Sequence, residues 1–92
     1  MEFEWDERKR ALNVRKHGIE LEDAAEVFNR PHLERLDDSR DSDEDRWIVS
    51  GEASGRVLIV VYTWRGEKRR IISARKATKV EREAFYRAFH SA

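Results

Sequence analysis

Regular apolar spacing marks the first elements along the chain. EFEW, at residues 2–5, alternates polar and apolar side chains, as a short edge strand does. Asp6 then precedes ERKRALNVRKH as a helix N-cap, and Gly18 provides the C-terminal stop. This helix has few apolar residues and many basic ones, so we expect it to lie on the surface.

A second helical pattern lies in LEDAAEVFNRP, where apolar residues recur at the spacing of one helix face. The stripe consists of Leu21, Ala24, Ala25 and Phe28, and Asn29 and Pro31 end it. HLERL is a candidate short strand. DDSRDSDED, residues 37–45, holds six acidic side chains and no apolar one, which predicts a solvated, mobile loop.

Three strand candidates follow: RWIVSG, RVLIVVYTW and EKRRIISAR. They are joined by EASG and RGE, whose glycines suit tight turns, so an antiparallel meander is predicted. The middle strand is apolar on both faces. We therefore expect it at the centre of the sheet and covered on both sides or nearly so.

The C-terminal segment reads as a helix that starts with a capping box. Thr78 is followed three residues later by Glu81, so each side chain can bond the other's backbone N–H. The predicted buried stripe consists of Val80, Ala84, Phe85, Ala88 and Phe89. Together the elements predict an α+β fold in which helices pack on an antiparallel meander.

Length and composition narrow the class of protein. A chain of 92 residues with 39% hydrophobic residues supports one thin core, so residues 1–92 are expected to form a single domain. The absence of cysteine excludes disulfides and thiolate sites. No secretion signal is visible and the longest apolar run, VLIVVY, is too short to span a bilayer, so a cytoplasmic location is expected.

Charge is distributed unevenly although the formal total is zero. Residues 1–45 contain 8 basic and 15 acidic residues, a net charge of −7, and residues 46–92 contain 11 and 4, a net charge of +7. Such asymmetry indicates a surface for nucleic acid or an acidic partner. Mutual neutralisation of the two halves within the fold explains it equally well.

Basic residues gather where the last strand meets the last helix: Arg69, Arg70, Arg75 and Lys76. Strict strand alternation would place Arg69, Ile71, Ser73 and Arg75 on one face, and Arg70, Ile72 and Ala74 on the other. Arginine suits a phosphodiester because its planar fork donates two parallel hydrogen bonds and keeps its proton. An anionic partner such as RNA is therefore expected at this junction.

Aromatic residues in or beside the strands admit two interpretations; they are Trp5, Trp47, Tyr62 and Trp64. Interleaved basic and aromatic residues are typical of proteins that bind single-stranded nucleic acid. Large rings in a small domain more often belong to the core, and we favour that reading for each of them. Trp5 is the expected exception, because it lies at a strand edge.

Two side chains are candidates for proton transfer. His17 suits acid–base chemistry, but at the end of a helix it can instead bond free carbonyls, and the structural role is favoured. Glu67, in the RGE turn, can act as a base or orient an arginine, or can simply be a solvated turn residue. No motif for a metal or a nucleotide cofactor is present, so no cofactor is expected.

Three segments taken together resemble the BrnT family of type II toxins, also described as DUF497 proteins. They are FEWDERKRALNVRKHGIELEDAAEVF, DRWIVSGEASGRVLIVVYTWRG and RRIISARKATKVEREAFY, and they follow one another in family order. The most specific features are the series W-D…K…N…K-H-G and I-S-A-R-x-A…E-R…Y. The resemblance covers nearly the whole chain.

This resemblance implies a RelE-like fold and a ribonuclease that cleaves mRNA without a metal ion. It also implies a BrnA-like antitoxin of the ribbon-helix-helix type, which neutralises the toxin and provides its only link to DNA. The family's basic positions fall on Arg46, Arg65 and Arg75; we expect Arg65 and Arg75 to clamp the phosphate with assistance from Arg46. Glu67 or His17 would transfer the proton, and Trp5, Arg70 and Lys76 are the expected RNA contacts.

Two alternatives remain open at the level of sequence. The same fold could serve as a non-catalytic module that binds a protein or a nucleic acid, in which case binding would occur without cleavage. A toxin that has lost its activity and is retained for regulation is the other. A small ribbon-helix-helix reading frame next to the gene would favour a toxin, active or inactive.

Overall fold

The computed structural model describes residues 2–38 and 44–90, within which five strands form one sheet of order β1-β5-β4-β3-β2. The strands are β1 (Phe3–Glu4), β2 (His32–Leu36), β3 (Trp47–Ala53), β4 (Arg56–Arg65) and β5 (Lys68–Lys76). The helices are α1 (Glu7–His17), α2 (Leu21–Ala24) with a 3-10 helix (Ala25–Asn29), and α3 (Lys79–His90). Residues 39–43 of the predicted mobile loop lie outside the described residues.

The predicted meander is confirmed: β3, β4 and β5 pair antiparallel in succession, and β2 extends the sheet beyond β3. β1 pairs with the other edge, parallel to β5, where Phe3 faces Arg69 and Glu4 faces Arg70. The pattern predicted β1 as an edge strand but gave no partner for it. Since β1 pairs with only two residues, it leaves most of the β5 edge uncovered.

Helix α1 has the predicted caps. The Asp6 carboxylate accepts hydrogen bonds from the backbone N–H groups of Lys9 and Arg8, and these bonds lower the pKa of Asp6. Gly18 adopts φ +69°, a left-handed conformation that glycine tolerates best, and its N–H closes the helix on Val14. No helix in the described part of the chain is long and apolar enough to cross a bilayer.

The main core lies between one sheet face and the segment 19–28. The apolar stripe of LEDAAEVFN is directed inward, but the segment forms a four-residue α-helix and a 3-10 helix instead of the single helix predicted. The tighter 3-10 turns bring Val27 into the core beside Phe28, although Val27 lies outside the predicted stripe. Their sheet partners are Val49, Ala53, Leu58, Val60, Tyr62, Ile71 and Ala74.

The opposite sheet face is covered in part by α3. Phe85 of α3 is 2% exposed. Val57 and Ile59, which β4 directs to this face, are also buried, so the middle strand is covered on both sides as predicted. Apart from Phe85, the predicted buried stripe of α3 is wrong, because Val80 is 72% exposed and Phe89 is 39% exposed. Ala84 and Ala88 are exposed as well. One aromatic anchor thus holds α3 on the sheet.

A β-bulge at Ile72 changes which residues of β5 share a face. Ser73 pairs with Val61 and Ile71 pairs with Tyr62, so Ile72 is the extra residue. Ile71 and Ala74 are consequently both buried in the main core, although they are three positions apart. The predicted grouping of Arg69 with Arg75 on one face is therefore wrong, because strict alternation does not anticipate a bulge.

Gly51 allows the 3-10 helix to pack closely on β3. A Cβ at this position would lie 2.8 Å from the Cβ of Val27 and 3.2 Å from that of His32. Gly51→Ala is expected to lower the free energy of unfolding by about 2 kcal/mol. The added methyl group would meet the Cβ atoms of Val27 and His32, which cannot move without their backbone. Urea unfolding measures this; Ser50→Ala, on the opposite face of β3, is the control, and equal stabilities of the two variants would contradict the prediction.

Candidate active site

The predicted catalytic arginines do not converge. Arg65 ends β4 and pairs with Glu44 at 3.0 Å. Arg75 lies opposite Ile59, six positions before Arg65 along β4, so the two backbones are about 20 Å apart. A clamp by both arginines on one phosphate, as the sequence suggested, is wrong for this geometry.

Arg46 and Glu67 lie near Arg65 and not near Arg75. Arg46 immediately precedes β3, where its carbonyl accepts a hydrogen bond from the N–H of Asp37. Glu67 is exposed in the β4–β5 turn, next to Gly66 with φ +62°. The predicted catalytic set is therefore divided between two ends of the sheet. His17 is on α1, away from both Arg65 and Glu67.

The three predicted RNA contacts have different surroundings. Trp5 is half-buried and packs on the core, so it is not the exposed aromatic that was expected. Arg70 pairs with Glu4 at 2.7 Å and lies 3.9 Å from Asp6. Lys76 is exposed at the end of β5. Of the three, Lys76 presents the most accessible charge.

Helix α1 covers the β5 edge beyond β1, and Asn13 makes the connection. Its side chain donates to the carbonyls of Ala74 and Ile19, both at 2.9 Å, and accepts from the N–H of Ala74 at 3.1 Å. Asn13 is the buried residue of α1, although the helix is otherwise polar and exposed. This amide thus takes the place of a neighbouring strand at one position of the edge.

A groove of about 230 Å³ opens beside this connection, between α1 and the bulge. It is lined by Lys9, Leu12, Asn13, Lys16, His17, Ile72 and Ser73. Lys9, Asn13 and Lys16 share one helix face because they are spaced by four and three residues. The α1–β5 groove therefore combines two ammonium groups, an imidazole and a hydroxyl, which suits binding of a phosphate and transfer of a proton.

The family model of BrnT, described as the ribonuclease toxin of type II toxin–antitoxin systems, matches residues 5–81. This chain belongs to the BrnT family. The crystal structure of the Brucella abortus ribonuclease toxin BrnT is similar, with a TM-score of 0.66 and 29% identity over 86% of this chain and 99% of that chain. No curated protein matches the sequence.

Membership of the BrnT family makes this protein a ribonuclease toxin of a type II toxin–antitoxin system. The predicted family, the predicted activity and the mixed α+β fold are therefore confirmed. A type II system also implies a protein antitoxin as partner. The α1–β5 groove draws its residues from both BrnT motifs: Lys9, Asn13, Lys16 and His17 belong to W-D…K…N…K-H-G, and Ser73 to I-S-A-R.

In this BrnT toxin, Arg75 is the predicted catalytic arginine that lies nearest to the groove. It is two positions from Ser73 on the same strand, so both side chains leave the same sheet face. Its guanidinium forms a bidentate ion pair with the Glu81 carboxylate: Nη1 donates to Oε1 at 2.8 Å and Nη2 donates to Oε2 at 2.9 Å. Glu81 also completes the predicted capping box with Thr78, so α3 fixes the direction of Arg75.

The contact with Arg75 lowers the pKa of Glu81 from its ordinary 4.5 to about 2. A lowered carboxylate pKa stabilises the fold above the unfolded-state pKa, and this contribution is lost as pH falls towards 2. Glu81→Gln should lower the free energy of unfolding at pH 7 by about 0.5–1 kcal/mol, a value kept small because both side chains are partly exposed. Urea unfolding should show the difference from wild type shrinking between pH 4.5 and 2; a pH-independent difference would contradict it.

Sequence reasoning did not anticipate the surroundings of Arg69. Its guanidinium carbon lies 4.4 Å from the ring centre of Phe28, 4.7 Å from that of Trp64 and 5.2 Å from that of Tyr62. Such contacts hold a cation against aromatic faces. Arg69 is thus a half-buried residue on the core face of the sheet. The one sequence feature that could have indicated its contact with Trp64 is the spacing W-x-x-x-x-R.

Proposed function

We propose that this toxin cleaves mRNA in the α1–β5 groove, by attack of a ribose 2′-OH on the adjacent phosphate and without a metal ion. The observation that supports it is the meeting of Lys9, Lys16, His17 and Ser73 in one groove. In this reaction the 2′-oxygen bonds to phosphorus and the bond to the 5′-oxygen breaks. The products are a 2′,3′-cyclic phosphate and a 5′-hydroxyl end.

The charged side chains of the groove, His17 and the neighbouring Arg75 have separate roles in this proposal. The ammonium groups of Lys9 and Lys16 bind the phosphate, and the guanidinium of Arg75 stabilises the charge that develops on it. His17 accepts the proton of the 2′-OH, and the departing 5′-oxygen takes a proton from water. Arg65, Arg46 and Glu67 are too far from this groove to share the same phosphate, so we assign them to flanking RNA.

The donor set of the groove favours a metal-free reaction. Magnesium and calcium are held in proteins mainly by carboxylates and other oxygen ligands. The charged side chains that line the groove are instead lysines, which repel a divalent cation and attract a phosphate. Lysine and arginine charges would then perform the electrostatic stabilisation that metal ions provide in other nucleases.

Purified, antitoxin-free protein incubated with RNA in EDTA tests this proposal. Cleavage should persist in the chelator and leave 2′,3′-cyclic phosphate ends, which sequencing and end-group analysis detect. Lys16→Ala should slow cleavage about 10–100-fold, because one charge-assisted contact is lost, whereas Arg15→Ala, on the neighbouring exposed position, should not. Cleavage that requires magnesium, or ends that carry no cyclic phosphate, would overturn the mechanism.

We infer further that the fold is of the RelE-like type and that the antitoxin is a BrnA-like ribbon-helix-helix protein. The antiparallel meander with helices on its faces supports the first inference, and BrnT membership supports the second. The antitoxin would silence the toxin and provide its contact with DNA. Co-expression of the adjacent reading frame, followed by a growth assay and co-purification, tests this pairing; wild-type toxin that causes no arrest would favour the non-catalytic module.

A further inference from the structure

A second cleft lies at the other end of the sheet and has no part in the proposed reaction. It has a volume of about 430 Å³ and is lined by Glu44, Asp45, Trp47, Thr63 and Trp64. Two indole rings and two carboxylates thus border one space. We call it the Trp47–Trp64 cleft.

The sheet register sets the spacing of the two indoles. Trp47 lies directly opposite Tyr62, so Trp64, two positions further along β4, is its diagonal neighbour. Diagonal neighbours across an antiparallel pair are about 7–8 Å apart and their side chains leave the same face. This separation leaves room for one planar ring between two aromatic side chains.

Trp64 is held in place yet remains accessible. The Arg69 guanidinium lies 4.7 Å from its ring centre, and Tyr62 meets it edge-on with ring centres 5.7 Å apart. Its exposed fraction is nevertheless 45%. A ring fixed by its neighbours loses little conformational entropy when another ring stacks on it, which favours binding.

The acidic side of the cleft is also fixed by several contacts. The Thr63 hydroxyl donates to the carbonyl of Asp45 at 2.6 Å, and Arg65 pairs with Glu44 at 3.0 Å. The N–H of Asp37 donates to the carbonyl of Arg46 at 2.8 Å. The segment 44–46 is therefore tied to β4 and to the end of β2 before any ligand binds.

From this arrangement we propose that the Trp47–Trp64 cleft binds a guanine base of the RNA and determines where the toxin cuts. The indoles stack on the base, as aromatic side chains do with unpaired bases. The Glu44 carboxylate is paired with Arg65, so the Asp45 carboxylate is the proposed acceptor. A carboxylate only accepts hydrogen bonds, and guanine carries two adjacent donors on its pairing edge, N1–H and the 2-amino group. Adenine, cytosine and uracil each place an acceptor next to their donor on that edge, which the carboxylate repels.

The sheet register relates the cleft to the proposed cleavage site. Ser73 of the α1–β5 groove lies opposite Val61, three positions before Trp64 on β4, so the side chains of Ser73 and Trp64 leave opposite faces of the sheet. A single-stranded RNA bound in the groove must therefore pass around the sheet to place a base in the cleft, and that base lies several nucleotides from the cut phosphate. In this respect the inference depends on the proposed site of cleavage.

Two measurements test the proposal. In the first, oligonucleotides that contain a single guanosine in a uridine and adenosine background are cleaved and the ends sequenced. Wild type should cut at a fixed distance from guanosine, and Trp64→Leu should reduce cleavage there by about 10–100-fold. Replacing guanosine with inosine, which lacks the 2-amino group, should reduce the wild-type rate, whereas Asp45→Asn should respond less to that replacement.

In the second, binding of GMP and AMP is followed by tryptophan fluorescence, which does not require cleavage. GMP should bind more tightly than AMP to wild type, and Trp64→Leu should abolish the difference, while Trp5→Leu should retain it. Cleavage without preference for guanosine, or equal binding of GMP and AMP, would overturn this inference and leave the ribonuclease mechanism intact. Guanosine-selective binding without metal-free cleavage would instead overturn the mechanism alone.

A protein ligand is the outcome that would reassign the cleft. If Trp64→Leu and Asp45→Asn release the antitoxin but leave GMP binding and the cleavage pattern unchanged, the cleft is a surface for a cationic side chain of the antitoxin. The guanine proposal would then be wrong.

Discussion

His17→Ala is expected to slow RNA cleavage by about 10²–10⁴-fold, the usual effect of removing a general acid or base. His17 ends α1 and lines the α1–β5 groove with Lys9, Lys16 and Ser73. Among these side chains the imidazole has a ring nitrogen that can accept a proton, so it is the proton acceptor proposed for the 2′-OH. Single-turnover cleavage of a defined oligonucleotide, measured as a function of pH, gives the rate.

The pH profile separates a catalytic role from a structural one. A proton acceptor acts only in its unprotonated form, so it gives the wild-type rate a limb that rises with pH, and His17→Ala should remove that limb. His32→Ala is the matched control, because His32 lies on β2 and contacts Phe28 and the carbonyl of Arg30. If His17→Ala keeps both the rate and the limb, His17 only caps α1, and the assignment of proton transfer is wrong.

Asn13→Ala is expected to have the largest effect on stability, about 3 kcal/mol in the free energy of unfolding. The amide is 5% exposed and makes three hydrogen bonds, to Ile19 and twice to Ala74. Each such bond contributes about 1 kcal/mol, and its loss leaves buried backbone groups unpaired. Small domains have only about 5–15 kcal/mol in total, so the variant should unfold at much lower urea.

Two comparisons isolate the hydrogen bonds from side-chain volume. Asn13→Asp keeps the size and the acceptor for the Ala74 N–H but loses both donated bonds, so it should also be strongly destabilised. Asn29→Ala, at the exposed end of the 3-10 helix, should change stability little. A loss below about 1 kcal/mol for Asn13→Ala would show that α1 does not depend on this connection to β5.

The fold neutralises part of the charge separation between the two halves of the chain. Arg65 pairs with Glu44 and Arg70 with Glu4, so cations of the second half meet acids of the first. Lys9 and Lys16, which belong to the acidic half, remain exposed together with Lys76 at one side of the sheet, where α1 borders β5. Partial neutralisation therefore coexists with a basic surface suited to RNA.

The resemblance identified the family, whereas the predicted meeting of Arg65 and Arg75 is wrong. The motifs W-D…K…N…K-H-G and I-S-A-R identified the BrnT family correctly and contain the residues of the groove. Arg65 and Arg75 were grouped because both are basic and lie in neighbouring strands, yet their positions along β4 and β5 separate them. Strand pairing, which decides that separation, depends on register and is not visible in either strand alone.

By itself the sequence determined the meander, the caps of α1, the capping box of α3 and the burial of β4 on both sides, because these depend on residues a few positions apart. Only the tertiary structure decided the bulge at Ile72, the connection from Asn13 to Ala74 and the Trp47–Trp64 cleft. Those features join positions as many as 61 residues apart, and packing between elements selects them. The physical reason is that a local pattern fixes the type of an element, whereas its partner and register follow from the surface it must cover.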